Sequence, residues 1–252
     1  MIRPRLGWSL PRVFAHRCGG ALAPENTLAG LRIAARLGLR AVEFDVMLSA
    51  DASPWLLHDE LLQRTTNGCG RVCETRDAQL RMLDAGAHQH PAFTGEAIPT
   101  LAAAAHACRQ LGLSANVEIK PAAGFEALTG EVVARQVRTL WGGCGTAAGV
   151  VILGNGAGGG ARSCPNCRSG LLERPPADWL AGAREFAAQT LHCAAESLDD
   201  DLLCEARAAG IPVLCYTVND PLVAAALLRR GVTAVFSDRI DCVGEDQGRF
   251  AG

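Results

Sequence analysis

An α/β fold of the (β/α)8 barrel type is expected from two features of the chain, its length and its alternation of strand-like and helix-like runs. A third feature marks a site on it. Its 252 residues match the usual size of one such domain. Short apolar runs alternate with Ala/Leu-rich stretches of helical length, the order of parallel β/α units. Four charged pairs, His16-Arg17, Glu43-x-Asp45, His58-Asp59 and Glu118-x-Lys120, stand where apolar runs stop. Packing gives no reason for them there, because uncompensated charge at a core edge is costly.

Eight extended runs are predicted: Val13–Ala15, Val42–Val46, Asn116–Ile119, Val150–Leu153, Gly170–Leu172, Thr190–Cys193, Val213–Val218 and Ala234–Ser237. Helices are predicted over Thr27–Leu37, Leu101–Leu111, Phe125–Trp141, Ala177–Ala188, Asp199–Ala209 and Pro221–Arg230. Asn26 or Thr27 caps the first of these, Asp199 the fifth, and Asn219 or Asp220 with Pro221 opens the last.

One run breaks the alternation. "PWLLHD" follows "EFDVML" after only Ser49–Ser53, too short for a crossover between parallel strands. It is therefore expected to return antiparallel, as a hairpin above the barrel rim. A turn centred near Asp51 and Ala52 places His58 opposite Asp45. The glycine-broken stretch Glu60–Pro99 continues as an irregular excursion on the same rim, of a size usually reserved for function. The whole reads as one domain, 1–252, with an insertion at about 47–99.

Glu43 and Asp45 lie two apart, on one face of a strand. Like charges held so close need a cation or a raised pKa. With Glu118 they make an all-oxygen set suited to Mg²⁺ or Ca²⁺; the alternative is a metal-free rim of ion pairs with Arg17 and Lys120. Lys120 is the only lysine in the chain, which points to a site needing a compact ammonium rather than a planar fork. His16 and His58 form a candidate acid/base pair, since imidazole titrates in the range both roles need.

Composition excludes other classes. A net charge of -2 offers no basic stripe for nucleic acid. No apolar stretch approaches the roughly 20 residues that a bilayer requires, and no amphipathic helix suits a membrane surface. The first residues lack an apolar export segment. Eleven cysteines, several within helix-like or strand-like runs, fit reduced thiols in a cytoplasmic protein. Cys164-x-x-Cys167 lacks a partner pair and reads as two incidental thiols rather than a zinc or redox site.

The strings "AHRCGGALAPENT", "EFDVMLSADASPWLLHDELLQRTTNG", "VEIKP", "YTVND" and "GVTAVFSD" resemble, in order and nearly end to end, the glycerophosphodiester phosphodiesterase family. The resemblance is nearest to its compact bacterial cytosolic form. It implies a (β/α)8 barrel with a small insertion, a divalent metal, and hydrolysis of small-molecule glycerophosphodiesters to sn-glycerol 3-phosphate and an alcohol. It implies His16 and His58 as general acid/base pair, Glu43, Asp45 and Glu118 as metal ligands, and Arg17 and Lys120 as phosphate contacts. Tyr216 is expected to line the site or to belong to the core, and Glu25 to orient a catalytic group. Two departures stand out. Cys18 replaces a usual glycine and is expected to bring a side chain near the phosphate. Gly154–Gly160 cannot hold an ordinary helix, since each glycine costs roughly 0.8–1.0 kcal/mol against alanine. The rival readings are a related barrel enzyme acting on lipid headgroups and a non-catalytic phosphodiester-binding paralogue.

Overall fold

All eight residues of the strand Ala41–Leu48 are buried, as expected of a parallel strand covered on both faces. The computed structural model describes residues 10–142, 150–153, 168–172, 179–185 and 188–245. In chain order its strands are β1 (Val13–Ala15), β2 (Ala41–Leu48), β3 (Pro54–Leu56), β4 (Ser114–Ile119), β5 (Val150–Leu153), β6 (Arg168–Leu172), β7 (Thr190–Ala194), β8 (Val213–Tyr216) and β9 (Ala234–Ser237). The α-helices are α1 (Leu28–Arg36), α2 (Asp77–Leu80), α3 (Leu101–Leu111), α4 (Glu126–Trp141), α5 (Trp179–Glu185), α6 (Asp200–Ala209) and α7 (Pro221–Arg230).

The strands form one curled sheet in the order β1-β9-β8-β7-β6-β5-β4-β2-β3. All neighbours are parallel except β2 and β3, and β1 also pairs with β2. That pairing brings eight parallel strands round into a ring. The segment between β5 and β6, with Gly154–Gly160, Cys164 and Cys167, lies outside the described residues, as does part of the stretch Ala177–Ala188.

The sequence makes the helix ends sharp. Thr27 Oγ1 accepts from Gly30 N–H and caps α1, Asp199 Oδ1 accepts from Leu202 N–H at 2.7 Å, and Asp220 caps α7 behind Pro221. Gly112 and Gly210 end α3 and α6 with φ of 69° and 71°, the left-handed conformation that glycine adopts without strain. Residues facing away from the ring, among them Val42, Phe44, Val117 and Leu191, pack with helix residues such as Leu31, Leu101 and Val133. Inside it, Phe14, Ala41, Leu214, Ala234 and Phe236 form an apolar plug.

The hairpin forms, but one residue out of the expected register. Val46 pairs with Leu56 and Leu48 with Pro54, and Leu57 N–H donates to the Asp45 carbonyl. Leu57, not His58, therefore stands opposite Asp45. The turn centres on Asp51, with Ser49 N–H donating to the Ser53 carbonyl and Ala52 taking the left-handed bend at φ 56°. An odd five-residue loop shifts the pairing by one. The excursion beyond is also less irregular than its glycines imply. Met47, Trp55, Leu62, Val72, Leu80 and Ile98 pack into a second apolar cluster, and Asp77 accepts from Trp55 Nε1–H at 2.9 Å and Ser49 Oγ–H at 2.6 Å.

Candidate active site

Strand alternation brings the charged residues together. On β2, Glu43 and Asp45 turn to the same side, and the pairing of β2 with β4 sets Glu118 beside Asp45. The result is one cavity lined by His16, Arg17, Glu43, Asp45, His58, Glu118, Lys120 and Tyr216, together with Asn116, His192, Thr217 and Phe236. The eight residues read from the sequence as catalytic, metal-ligating or phosphate-binding, Tyr216 included, all border this space, whereas Cys18 and Glu25 do not.

Carboxylate oxygens of Glu43, Asp45 and Glu118 all lie within 4.8 Å of one another. Burial, then the charges of Asp45 and Glu118, pushes the Glu43 carboxyl well above the ordinary range. Burial and Asp45 raise Glu118 likewise. Glu43 Oε2 accepts from Arg17 N–H at 2.8 Å, while its Oε1 is buried with no hydrogen-bond partner. An orphaned carboxylate oxygen among crowded anions is what a divalent cation relieves. The three residues fit such an ion.

Lys120 Nζ lies 2.5 Å from Glu118 Oε1 and 3.9 Å from Asp45 Oδ1. Burial disfavours its ammonium, but these carboxylates outweigh burial and hold its pKa above the usual value. Arg17 donates through Nη1 to Glu25 at 3.1 Å, and its Nε sits 3.8 Å from Asp45 Oδ2. Arg17 and Cys18 both adopt positive φ, 48° and 75°. That bend turns the Arg17 amide toward Glu43 and sends the Cys18 side chain inward, where it is fully buried. Cys18 therefore packs in the core and is absent from the cavity wall, contrary to the expectation for that position. Burial drives its thiol pKa well up.

Each histidine is held by a carboxylate. His16 Nδ1 meets Asp238 Oδ1 at 2.7 Å and its Nε2 faces Glu43 Oε2 at 3.9 Å. His58 Nδ1 meets Asp59 Oδ1 at 2.6 Å. Burial opposes ionisation of Asp238, but the hydrogen bond and charge of His16 outweigh it and lower its pKa. A hydrogen bond from Arg64, followed by that of His58, lowers Asp59 far more. Arg64 also clamps Glu25 with two bonds of 2.7 Å. A chain of ion pairs thus runs His58, Asp59, Arg64, Glu25, Arg17.

Sequence reasoning missed several of these partners. Asn26 does not cap α1. Its side chain embraces Asp45, donating from Nδ2 to Oδ2 at 2.9 Å and accepting the Asp45 N–H at 3.1 Å. Glu25, expected to orient a catalytic group, accepts from Arg17 and Arg64. Tyr216 serves both expected roles, lining the cavity and packing on the apolar plug. Asp238 was signalled only by its place one residue beyond "AVFS".

Comparison with known proteins agrees with this geometry. The glycerophosphoryl diester phosphodiesterase family model matches residues 16–151 and 171–242. Bovine glycerophosphodiester phosphodiesterase 1 is 42% identical over 108 residues, 42% of this chain and 33% of that protein. The glycerophosphodiester phosphodiesterase of Caldanaerobacter subterraneus is 39% identical over 108 residues, 43% of this chain and 44% of that one. The matched stretches thus span under half the length of these curated relatives. Among solved structures, an Oleispira antarctica phosphodiesterase in complex with the product sn-glycerol-3-phosphate superposes with a TM-score of 0.87, at 34% identity over 93% of this chain and 95% of that one. An Agrobacterium tumefaciens glycerophosphodiester phosphodiesterase gives 0.76 at 26% identity, covering 93% and 99%. With its ordered charged pairs gathered in one cavity and most of its length matched, this chain belongs to the glycerophosphoryl diester phosphodiesterase family.

Proposed function

We propose that this chain hydrolyses glycerophosphodiesters to sn-glycerol 3-phosphate and an alcohol, on a (β/α)8 barrel carrying an insertion at about 47–99. The observation that carries the reading is the convergence of two carboxylate-held imidazoles, three carboxylates and two cations on one cavity. The product bound to the Oleispira phosphodiesterase supports the choice of substrate.

Glu43, Asp45 and Glu118 would hold Mg²⁺ or Ca²⁺, which supplies charge stabilisation at the phosphoryl oxygens and orientation of the ester. Arg17 and Lys120 add donors to the same oxygens. Both stay cationic because the carboxylates beside them favour their charged forms. With Asp238 and Asp59 accepting from the Nδ1–H groups, each histidine presents Nε2 to the reaction. One takes the proton of the nucleophile, water or the glycerol 2-hydroxyl, as the new O–P bond forms; attack by the 2-hydroxyl gives a cyclic phosphate that water then opens. The other protonates the alkoxide released as the P–O bond to the headgroup breaks.

Glu25 and Asn26 hold Arg17 and Asp45 in place, so the "PENT" turn serves the site through its neighbours. Among the described residues, eight cysteines are free, which suits the cytoplasmic location we assign. No helix among those residues is long and apolar enough to cross a membrane. Release of sn-glycerol 3-phosphate from a panel of glycerophosphodiesters, with chelator and with added Mg²⁺ or Ca²⁺, tests the reading. Metal-dependent release supports it. No release from any member with either metal present sinks it.

A further inference from the structure

We infer that Asn116 and His192 form a polar floor that binds the hydroxyl groups of the substrate's glycerol half, directing that half down the barrel and the headgroup toward the rim. The inference rests on the phosphodiesterase reading above and names the residues that recognise the polyol.

Three atoms carry it. Asn116 is 1% exposed, and both its Oδ1 and its Nδ2 are buried without a hydrogen-bond partner. His192 is 0% exposed, and its Nδ1 is in the same state. A buried polar atom left unpaired costs its desolvation energy in full, so native interiors rarely keep several together. These three border the one cavity that also holds the acidic cluster. Asn116 lies in register with Glu43 on the neighbouring strand and two residues before Glu118, hence on the same side. His192 is on β7, three strands from β4 round the ring, and so reaches in from the far side. Its ring rests on Phe236, with centroids 5.2 Å apart, and Phe236 belongs to the apolar plug. His192 thus joins the apolar plug to the cavity, while Asn116 stands level with Glu43 at the edge of the acidic cluster.

The chemistry of the floor selects its ligand. Asn116 offers two donors on Nδ2 and an acceptor on Oδ1. Burial pushes the His192 imidazole pKa down to about 3, so the ring is neutral. Its Nε2 shares a proton with Thr190 Oγ1 at 3.0 Å, leaving Nδ1 to donate or accept as the threonine hydroxyl turns. Neutral groups of both polarities match hydroxyls, which donate and accept. An ionised phosphate accepts only, and a quaternary ammonium does neither. Both charged parts of the ester are better served nearer the rim.

The test is calorimetric binding of sn-glycerol 3-phosphate and of n-propyl phosphate to the full chain with Mg²⁺ added. A site built to pair hydroxyls rejects the analogue that lacks them. Wild type is expected to prefer sn-glycerol 3-phosphate by about tenfold or more, since each unmade hydrogen bond to a buried group costs on the order of a factor of ten. His192→Phe and Asn116→Leu should each shrink that preference severalfold while leaving n-propyl phosphate binding intact. Equal binding of the two ligands by wild type overturns the inference, as does an undiminished preference in both variants. A measurement needing no variant is the ring ¹⁵N signal of His192, which should respond to sn-glycerol 3-phosphate and not to n-propyl phosphate. An equal response, or none, overturns the inference. Failure of both ligands to bind at all would instead remove the phosphodiesterase reading on which the inference stands.

Discussion

Asp238 Oδ1 sits 2.7 Å from His16 Nδ1, joining the residue after β9 to the residue after β1. The bond fixes the imidazole's tautomer and its tilt toward Glu43. Asp238→Asn should keep the fold yet lower turnover about 10–100-fold, the usual range for a group that orients a working histidine. Michaelis constants should move far less. A rate within twofold of wild type, measured by release of sn-glycerol 3-phosphate, would show that the orientation is immaterial.

The same pair sets an acid limit on stability. His16 holds the Asp238 carboxyl below its ordinary value in the folded state. A depressed folded-state value means the unfolded chain takes up protons first as pH falls. The stabilisation is therefore present above about pH 4, near the ordinary Asp value, and fades as pH drops toward the folded-state value. Thermal melts of wild type should lose stability over that interval more steeply than those of Asp238→Asn. Parallel acid limbs would contradict the linkage.

His16→Ala and His58→Ala should each remove about 10²–10⁴-fold of turnover, the usual contribution of a positioned acid or base. Both side chains are only partly buried, at 20% and 30% exposure, so melting temperatures should change little. A near-normal rate in either variant would break its assignment.

Glu43→Gln tests the cation site through binding rather than rate. Metal-free wild type carries a buried, repelling carboxylate cluster, so the neutral amide should melt at the same temperature or higher. Added Mg²⁺ or Ca²⁺ should raise the melting temperature of wild type by mass action and leave Glu43→Gln nearly unmoved. An equal rise in both proteins would place the cation elsewhere.

Arg64 ties the segment after the hairpin to the first loop through Asp59 and Glu25. It is 46% exposed, so Arg64→Met should cost little global stability. It should nevertheless loosen His58 and Arg17 together, speeding proteolysis within residues 60–99 and lowering turnover severalfold. Unchanged proteolysis would mean that the ion pairs are incidental.

Much of this site can be read from the chain because strand ends are local facts. Glu43-x-Asp45 and Glu118-x-Lys120 announce themselves by spacing alone, and Thr27, Asp199 and Asp220 cap helices where side-chain chemistry says they can. Asn116 carried a similar signal, two residues before Glu118 and thus on the same face. The unread parts are those set by distant partners. Asn26 looks like a helix cap until Asp45, 19 positions on, takes its amide. His58 misses its expected neighbour because the number of residues in one turn, not the apolar pattern, decides the register. The second apolar cluster stayed hidden because Met47, Trp55, Leu62 and Ile98 show no common period.

β1 has only three residues, and its two edges are taken by β2 and β9; the His16 amide itself donates to the Ser237 carbonyl. The placement of His16 therefore depends on residues 234–238, more than two hundred positions further along the chain. A split version lacking residues 234–252 should be inactive in the release assay and should regain the proposed activity when the C-terminal piece is added back.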